Sequence, residues 1–328
     1  MKRLPAPKIE RRLELNFQGD WGHANLHRIC GWISSVMTPL CGDGTRIATW
    51  TGKWGSEAPK VVADGLVDMA MSVPAAWVAS ALTGHGIYSG KPVKGISAIA
   101  TMPQTDWVLL AIDQSFGVRT FDDLREKRPP LRIATGPDDG DHTVGYGVQR
   151  VMEAAGIDRA TLESWGGCYL EEDRPDRVLN LLKDPGADAV FFEAVMTPFW
   201  RKAAEERAFH YIPIERDVLD AVERDFGLTR ATMPAGRLHG MDYPVETLDF
   251  ADFLMIVRDD MPDDIAYMLA WIICETSEIL ERQYSHLPVE HSPVTYPLEP
   301  ARMMKTSIPL HPGAERYYRE AGYLDGGF

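Results

Sequence analysis

A strand, a glycine-bearing loop and an amphipathic helix follow one another twice in this chain, and that repeat limits the fold more than any other feature of the sequence. Leu13 to Phe17 alternates apolar and polar residues, Gly19 and Gly22 break the pattern, and Leu26, Ile29, Ile33 and Met37 return at helical spacing. The arrangement restarts at Leu131 to Thr135, passes through the turn Gly136-Pro-Asp-Asp-Gly-Asp-His-Thr, and continues in a helix over Val144 to Ala155. In the first half, Arg46 to Thr51 and Met69 to Val73 are further strands, each followed by helical sequence, so the opening βαβαβ pattern predicts parallel strands with helices on their faces. Ile96 to Ala100, Trp107 to Ile112, Ala187 to Phe192 and His210 to Ile214 supply more strands, and Thr120 is placed to cap a short helix.

A chain of 328 residues is long enough for two such α/β lobes. The second is expected over 115–235. The first is expected to be discontinuous, 1–114 with 236–328, because the strand at Phe250 to Val257 has no second-lobe partner nearby in sequence. A long amphipathic helix from Pro262 to Leu280 and a short one near Glu315 to Ala321 complete the expectation. At 45% hydrophobic and 25% charged residues the composition is that of a folded globular protein. The net charge of −14 repels phosphate backbones, which excludes nucleic acid and disfavours anionic membrane surfaces.

The longest apolar stretch, Ile265 to Leu280, carries Glu275 and Glu278, so no direct membrane insertion is expected. The residues after Met1 are charged and proline-rich through Arg12, without the apolar core of a secretory signal. A cytoplasmic chain is expected from the sequence as it stands, and a periplasmic one if this N-terminus is a mature or trimmed form. Cys30, Cys41, Cys168 and Cys274 lack CxxC spacing and read as reduced structural thiols.

Ligands of open parallel sheets lie beyond the carboxyl ends of the strands, where loops meet helix N-termini. That rule selects Gly19 to His23, Gly52 to Ser56 and Ser72 to Trp77 in the first lobe, and Gly136 to Thr143 and Glu193 to Thr197 in the second, with both lobes facing one cleft. Four tryptophans, Trp21, Trp50, Trp54 and Trp77, lie in or beside the first-lobe loops and would suit a flat or apolar ligand, Trp54 most of all. Ionisable groups gather at the same loops: Asp20, His23 and Lys53, then Asp138, Asp139, Asp141, His142 and Glu193. Lys53 between two glycines could pair with a ligand carboxylate. Asp139 or Asp141 would cap the following helix. His23 and His27 are four apart but lack a third ligand nearby, so no metal is expected. No GxSxG, HExxH or P-loop motif occurs, and no cofactor is expected.

Ala63-Asp-Gly-Leu-Val-Asp-Met-Ala-Met-Ser, Phe121-Asp-Asp-Leu-Arg-Glu-Lys, Gly136-Pro-Asp-Asp-Gly and Ile308-Pro-Leu-His-Pro-Gly-Ala-Glu-Arg-Tyr-Tyr-Arg-Glu occur in that order. In these segments, over nearly the whole chain, the sequence resembles the TAXI family of TRAP-transporter solute receptors. The resemblance implies a type II periplasmic-binding-protein fold, two lobes joined by crossover strands, capture of small organic acids or amino acids by hinge closure, and transporter membrane subunits as partners. It also implies ligand contacts near Asp20, Trp21 and His23, at Gly55, Ser56 and Ser72, over the Gly136 to Thr143 turn with Asp138, Asp139, His142 and Thr143, and at Glu193. Acids in that turn are expected to weaken binding of a dianion.

The expected function is therefore capture of a small organic carboxylate, an aromatic one included, with Lys53 and helix N-termini taking the acid group and Trp54 or Trp77 covering a ring. The alternative is a cytosolic enzyme on the same fold, such as a decarboxylase or hydrolase, with His23 or His142 as proton carrier and Glu193 or Asp138 as partner.

Overall fold

The computed structural model describes residues 3–22, 25–53, 56–183, 186–194 and 198–324. Its strands are β1 (Glu14–Gln18), β2 (Arg46–Trp50), β3 (Met69–Ser72), β4 (Ile96–Met102), β5 (Trp107–Asp113), β6 (Arg132–Thr135), β7 (Cys168–Glu171), β8 (Ala189–Glu193), β9 (Phe209–Ile212), β10 (Arg230–Met233), β11 (Val245–Asp249) and β12 (Phe253–Arg258). The chain divides into two units, one of Met1–Gly84, Gly90–Gln104 and Ala251–Phe328, the other of His85–Ser89 and Thr105–Phe250.

Unit 1 is built on a five-stranded sheet in the order β2-β1-β3-β12-β4. β1 pairs in parallel with β2 and β3, with Leu15 opposite Ile47 and Phe17 opposite Met69, as the βαβαβ pattern predicts. β12 returns to this sheet from the far end of the chain and runs antiparallel to β3 and β4. The helix Asn25–Met37 buries the stripe Leu26, Ile29, Ile33 and Met37 that its periodicity announces. Those residues share one core with Phe17, Met71, Met255, Leu269 and Tyr318. The expected helix from Pro262 to Leu280 is two helices, Asp263–Glu275 and Ser277–Tyr284. Thr276 leaves helical geometry between them, donates its hydroxyl to Ile272 O at 2.7 Å and accepts the Trp32 indole N–H at 3.0 Å. Cys30 and Cys274 are buried free thiols.

Unit 2 carries a seven-stranded sheet in the order β10-β11-β5-β8-β6-β7, with β9 sharing the β11 edge of β5. β6 is parallel to both β7 and β8, while β5 runs antiparallel to β8, β9 and β11. The boundaries differ from those expected at 114/115 and 235/236. β5 and β11 belong to unit 2, and so does the short turn at His85–Ser89. The reason is β-pairing with partners distant in sequence: Leu109 of β5 lies opposite Phe192, and Leu248 of β11 opposite Val108.

Candidate ligand-binding loops

In unit 1 the loop after β1 is organised around Asp20. Its buried carboxylate accepts the backbone N–H groups of Gly22 (2.8 Å), Leu26 (2.9 Å) and His27 (3.3 Å), and the His27 imidazole Nδ1 at 3.0 Å. Two of those N–H groups open the Asn25–Met37 helix, so the chain's own anion sits where a ligand's acid group was expected. Gly19 permits this packing, because a Cβ there would stand 2.6 Å from His27 Nδ1. In the next loop, the Lys53 backbone N–H donates to the Glu57 carboxylate, which also accepts the Gln18 amide at 3.1 Å. The Lys53 side chain is exposed and has no ion pair with a described residue. Ser56, Ser72 and Trp77 are buried, and Trp21 is half-buried. Trp50 lies on the edge strand β2, 53% exposed, with its indole N–H on Asn16 Oδ1 at 2.8 Å. His23, Trp54 and Gly55 lie outside the described residues.

In unit 2 the loop between β6 and the helix Thr143–Ala154 is held by its own acids. Asp138 pairs with Arg150 at 2.8 Å. Arg150 lies two turns along the helix and also meets Glu153 at 2.9 Å and the Tyr146 ring at 5.1 Å. Burial pushes the Asp138 carboxyl up, against the pull of Arg150. Asp139 accepts the N–H groups of Asp141 (3.0 Å) and His142 (2.9 Å). Burial works against its charge, but those bonds outweigh it and hold the carboxyl below its usual range. The helix cap, expected at Asp139 or Asp141, is His142, whose Nδ1 accepts the Gly145 N–H at 3.0 Å. The His142 ring is buried 5.9 Å from Phe192, and burial pushes its pKa down to about 4. A neutral ring with Nδ1 occupied as an acceptor is a poor proton carrier near neutral pH.

Two of the three acids expected to repel a dianion, Asp138 and Asp139, are thus engaged within the loop. At its two ends lie hydroxyls of another kind. Thr135, the last residue of β6, and Thr143, the first of the helix, are 0% and 2% exposed, and neither hydroxyl oxygen has a partner among the described residues. Thr143 was selected by the loop rule, but Thr135 was not, because the strand reading assigned it to the sheet. Glu193 ends β8 in a buried position, where its main-chain oxygen accepts the Trp200 indole N–H at 2.5 Å.

The two-sheet architecture matches proteins of known structure. It is similar to a periplasmic transporter at a TM-score of 0.52, with 9% identity and 94% of each chain covered. It is similar to a Bordetella bronchiseptica RB50 protein at 0.51, with 11% identity over 95% of this chain and 99% of that one. PhnD1 from Prochlorococcus marinus (MIT 9301), solved in complex with methylphosphonate, stands at 0.50, with 10% identity and the same coverage. At such identities the likeness concerns the fold alone, and the fold is that of the type II periplasmic-binding-protein class. The chain belongs to the NMT1-like family, whose model matches residues 51–322.

Proposed function

We propose that this protein is a solute-binding protein that captures a small organic carboxylate with the loops at the carboxyl ends of its strands. The observation that carries this reading is the pair of buried hydroxyls at Thr135 and Thr143. A buried polar group without a partner costs free energy, on the order of 1–3 kcal/mol each, and a ligand acceptor oxygen would recover it.

A single carboxylate suits these groups better than a sulfate or phosphonate. Dianions need several N–H donors, and the expected donors are engaged: the Asn25–Met37 helix start by Asp20 and the Gly145 N–H by His142. The TAXI-like sequence landmarks point the same way. On this reading membrane subunits of a TRAP-type transporter are the partner, and the place of work is the periplasm if this N-terminus is a mature or trimmed form.

The test is thermal stabilisation of the full chain by a panel of aromatic and aliphatic monocarboxylates, with sulfate and methylphosphonate alongside, followed by mass spectrometry of recovered ligand. Stabilisation by a monocarboxylate, recovered unchanged, is expected. Stabilisation by the dianions alone would overturn the carboxylate assignment, and a chemically altered ligand would overturn the binding-only reading.

A further inference from the structure

The sheet of unit 1 is closed at one edge and open at the other. Its β4 edge is covered by the C-terminal segment: the Ala98 N–H donates to Pro309 O at 2.8 Å, and the His311 N–H to Ala98 O at 2.8 Å. At the opposite edge, β2 pairs only with β1 among the described residues. Four of the five β2 residues are exposed and Ile47 is half-buried. The Arg46 N–H donates to Leu13 O at 2.8 Å, and Trp50 O accepts the Gly19 N–H at 3.0 Å. Main-chain groups alternate sides along a strand, so Arg46, Ala48 and Trp50 turn theirs to β1, and Ile47 and Thr49 turn theirs to the open edge. β2 has no proline and keeps one register along β1, so its free side is a template for a further strand.

We propose that this edge pairs with the same edge of a second copy of the chain, antiparallel about a two-fold axis at Ala48. The edge is complementary to itself in that register. Ile47 of one copy then lies opposite Thr49 of the other, and their open N–H and C=O groups exchange hydrogen bonds on both sides of the axis. Arg46, Ala48 and Trp50 share one face of the strand. The small Ala48 residues meet at the axis, and Arg46 of each copy reaches the 53% exposed Trp50 ring of the other. Charge completes the match. The chain enters β2 past Asp43 and leaves it at Lys53, both exposed, and neither they nor Arg46 has an ion pair with a described residue. Antiparallel pairing brings the entry end of one strand to the exit end of the other, so Asp43 meets Lys53 twice. Centring the axis on Ile47 or Thr49 instead sets Trp50 opposite Gly44 or Ala48 and loses both matches. A short strand pair falls below the about 800 Å² per partner of a stable complex, so the dimer is a transient one.

The test is sedimentation velocity of the full chain without ligand, at physiological ionic strength, where the repulsion between two copies of net charge −14 is screened. From about 1 to 500 μM a reversible monomer–dimer equilibrium is expected. Ala48→Glu alters an exposed side chain and sets two carboxylates against each other at the axis, which is expected to weaken the dimer at least about tenfold. Asp43→Lys and Lys53→Asp are each expected to weaken it about threefold, and the double variant to restore it. Circular dichroism checks that every variant is folded. A chain that stays monomeric over the whole range, or a dimer that Ala48→Glu leaves intact, overturns the proposal. A dimer that Ala48→Glu abolishes but the double charge reversal does not restore overturns the register on which the proposal rests. Since no ligand is involved, each of these outcomes is separate from the fate of carboxylate capture.

Discussion

A Cβ on Gly136 would stand 2.2 Å from Cε1 of His142, so the ring that caps the Thr143–Ala154 helix occupies the space a side chain would take. The same device recurs at Gly19 and His27 in unit 1. Gly136 is not in the left-handed region, so its requirement is steric. Gly136→Ala is expected to destabilise the protein by about 1–3 kcal/mol, the usual cost of overpacking, against a smaller entropic gain from losing a glycine. Urea unfolding checks this. The midpoint should fall with the slope unchanged, and a midpoint equal to or above that of the wild type would show that the ring yields freely.

The cap also makes stability depend on pH. Burial pushes His142 down to about 4 from an ordinary value of 6.5. Between those values the unfolded chain takes up the proton and the folded chain does not. The stability that His142 supports is therefore complete above about pH 6.5, declines on acidification, and levels off below about pH 4, with a total of roughly 3 kcal/mol. His142→Asn retains a capping oxygen and cannot titrate. Its stability, followed by urea unfolding at successive pH values, should fall less steeply than that of the wild type through this window. Parallel profiles would mean that His142 titrates alike in both states.

The helix break at Thr276 predicts a specific coupling. Thr276 accepts the indole N–H of Trp32, a buried residue on another helix, at 3.0 Å. Thr276→Val leaves that N–H unpaired in the core and is expected to cost about 1–3 kcal/mol. In a Trp32→Phe background there is no donor to strand, so the same change should cost much less. Equal costs in the two backgrounds would remove the hydrogen bond from the explanation.

Local pattern carried the parts of the fold whose causes are local. The stripe Leu26, Ile29, Ile33 and Met37 and the alternation at β1 are legible because each residue's environment follows from its own period. The break at Thr276 was not legible, since it depends on Trp32 some 240 residues earlier in the chain. β10 and β11 were also missed. They pair across a Pro- and Gly-bearing segment, and their polar residues, such as Thr232 and Glu246, hydrogen-bond across the hairpin at 2.7 Å. At the loops the sequence misassigned the charges. Asp20, Asp138 and Asp139 looked like groups aimed at a ligand, and their carboxylates instead bind Leu26, Arg150 and His142. His27 was weighed only as a metal ligand beside His23 and set aside for want of a third, whereas its partner is Asp20, seven residues back.

The hydroxyls of Thr135 and Thr143 separate a ligand site from a structural one. Thr→Val keeps the branched shape and removes only the hydroxyl. A buried hydroxyl with no partner contributes nothing to the folded state and costs its desolvation, so Thr135→Val and Thr143→Val are each expected to leave stability unchanged or slightly higher. If those oxygens bind the ligand, each substitution removes one hydrogen bond to it, and affinity should fall about tenfold for whichever carboxylate stabilises the wild type most. The signature is the opposition of the two effects in one protein: melting unchanged or raised without ligand, and stabilisation by ligand diminished. A structural hydroxyl gives the reverse pattern, with melting lowered and ligand stabilisation retained, and that result would move the site away from the β6 loop.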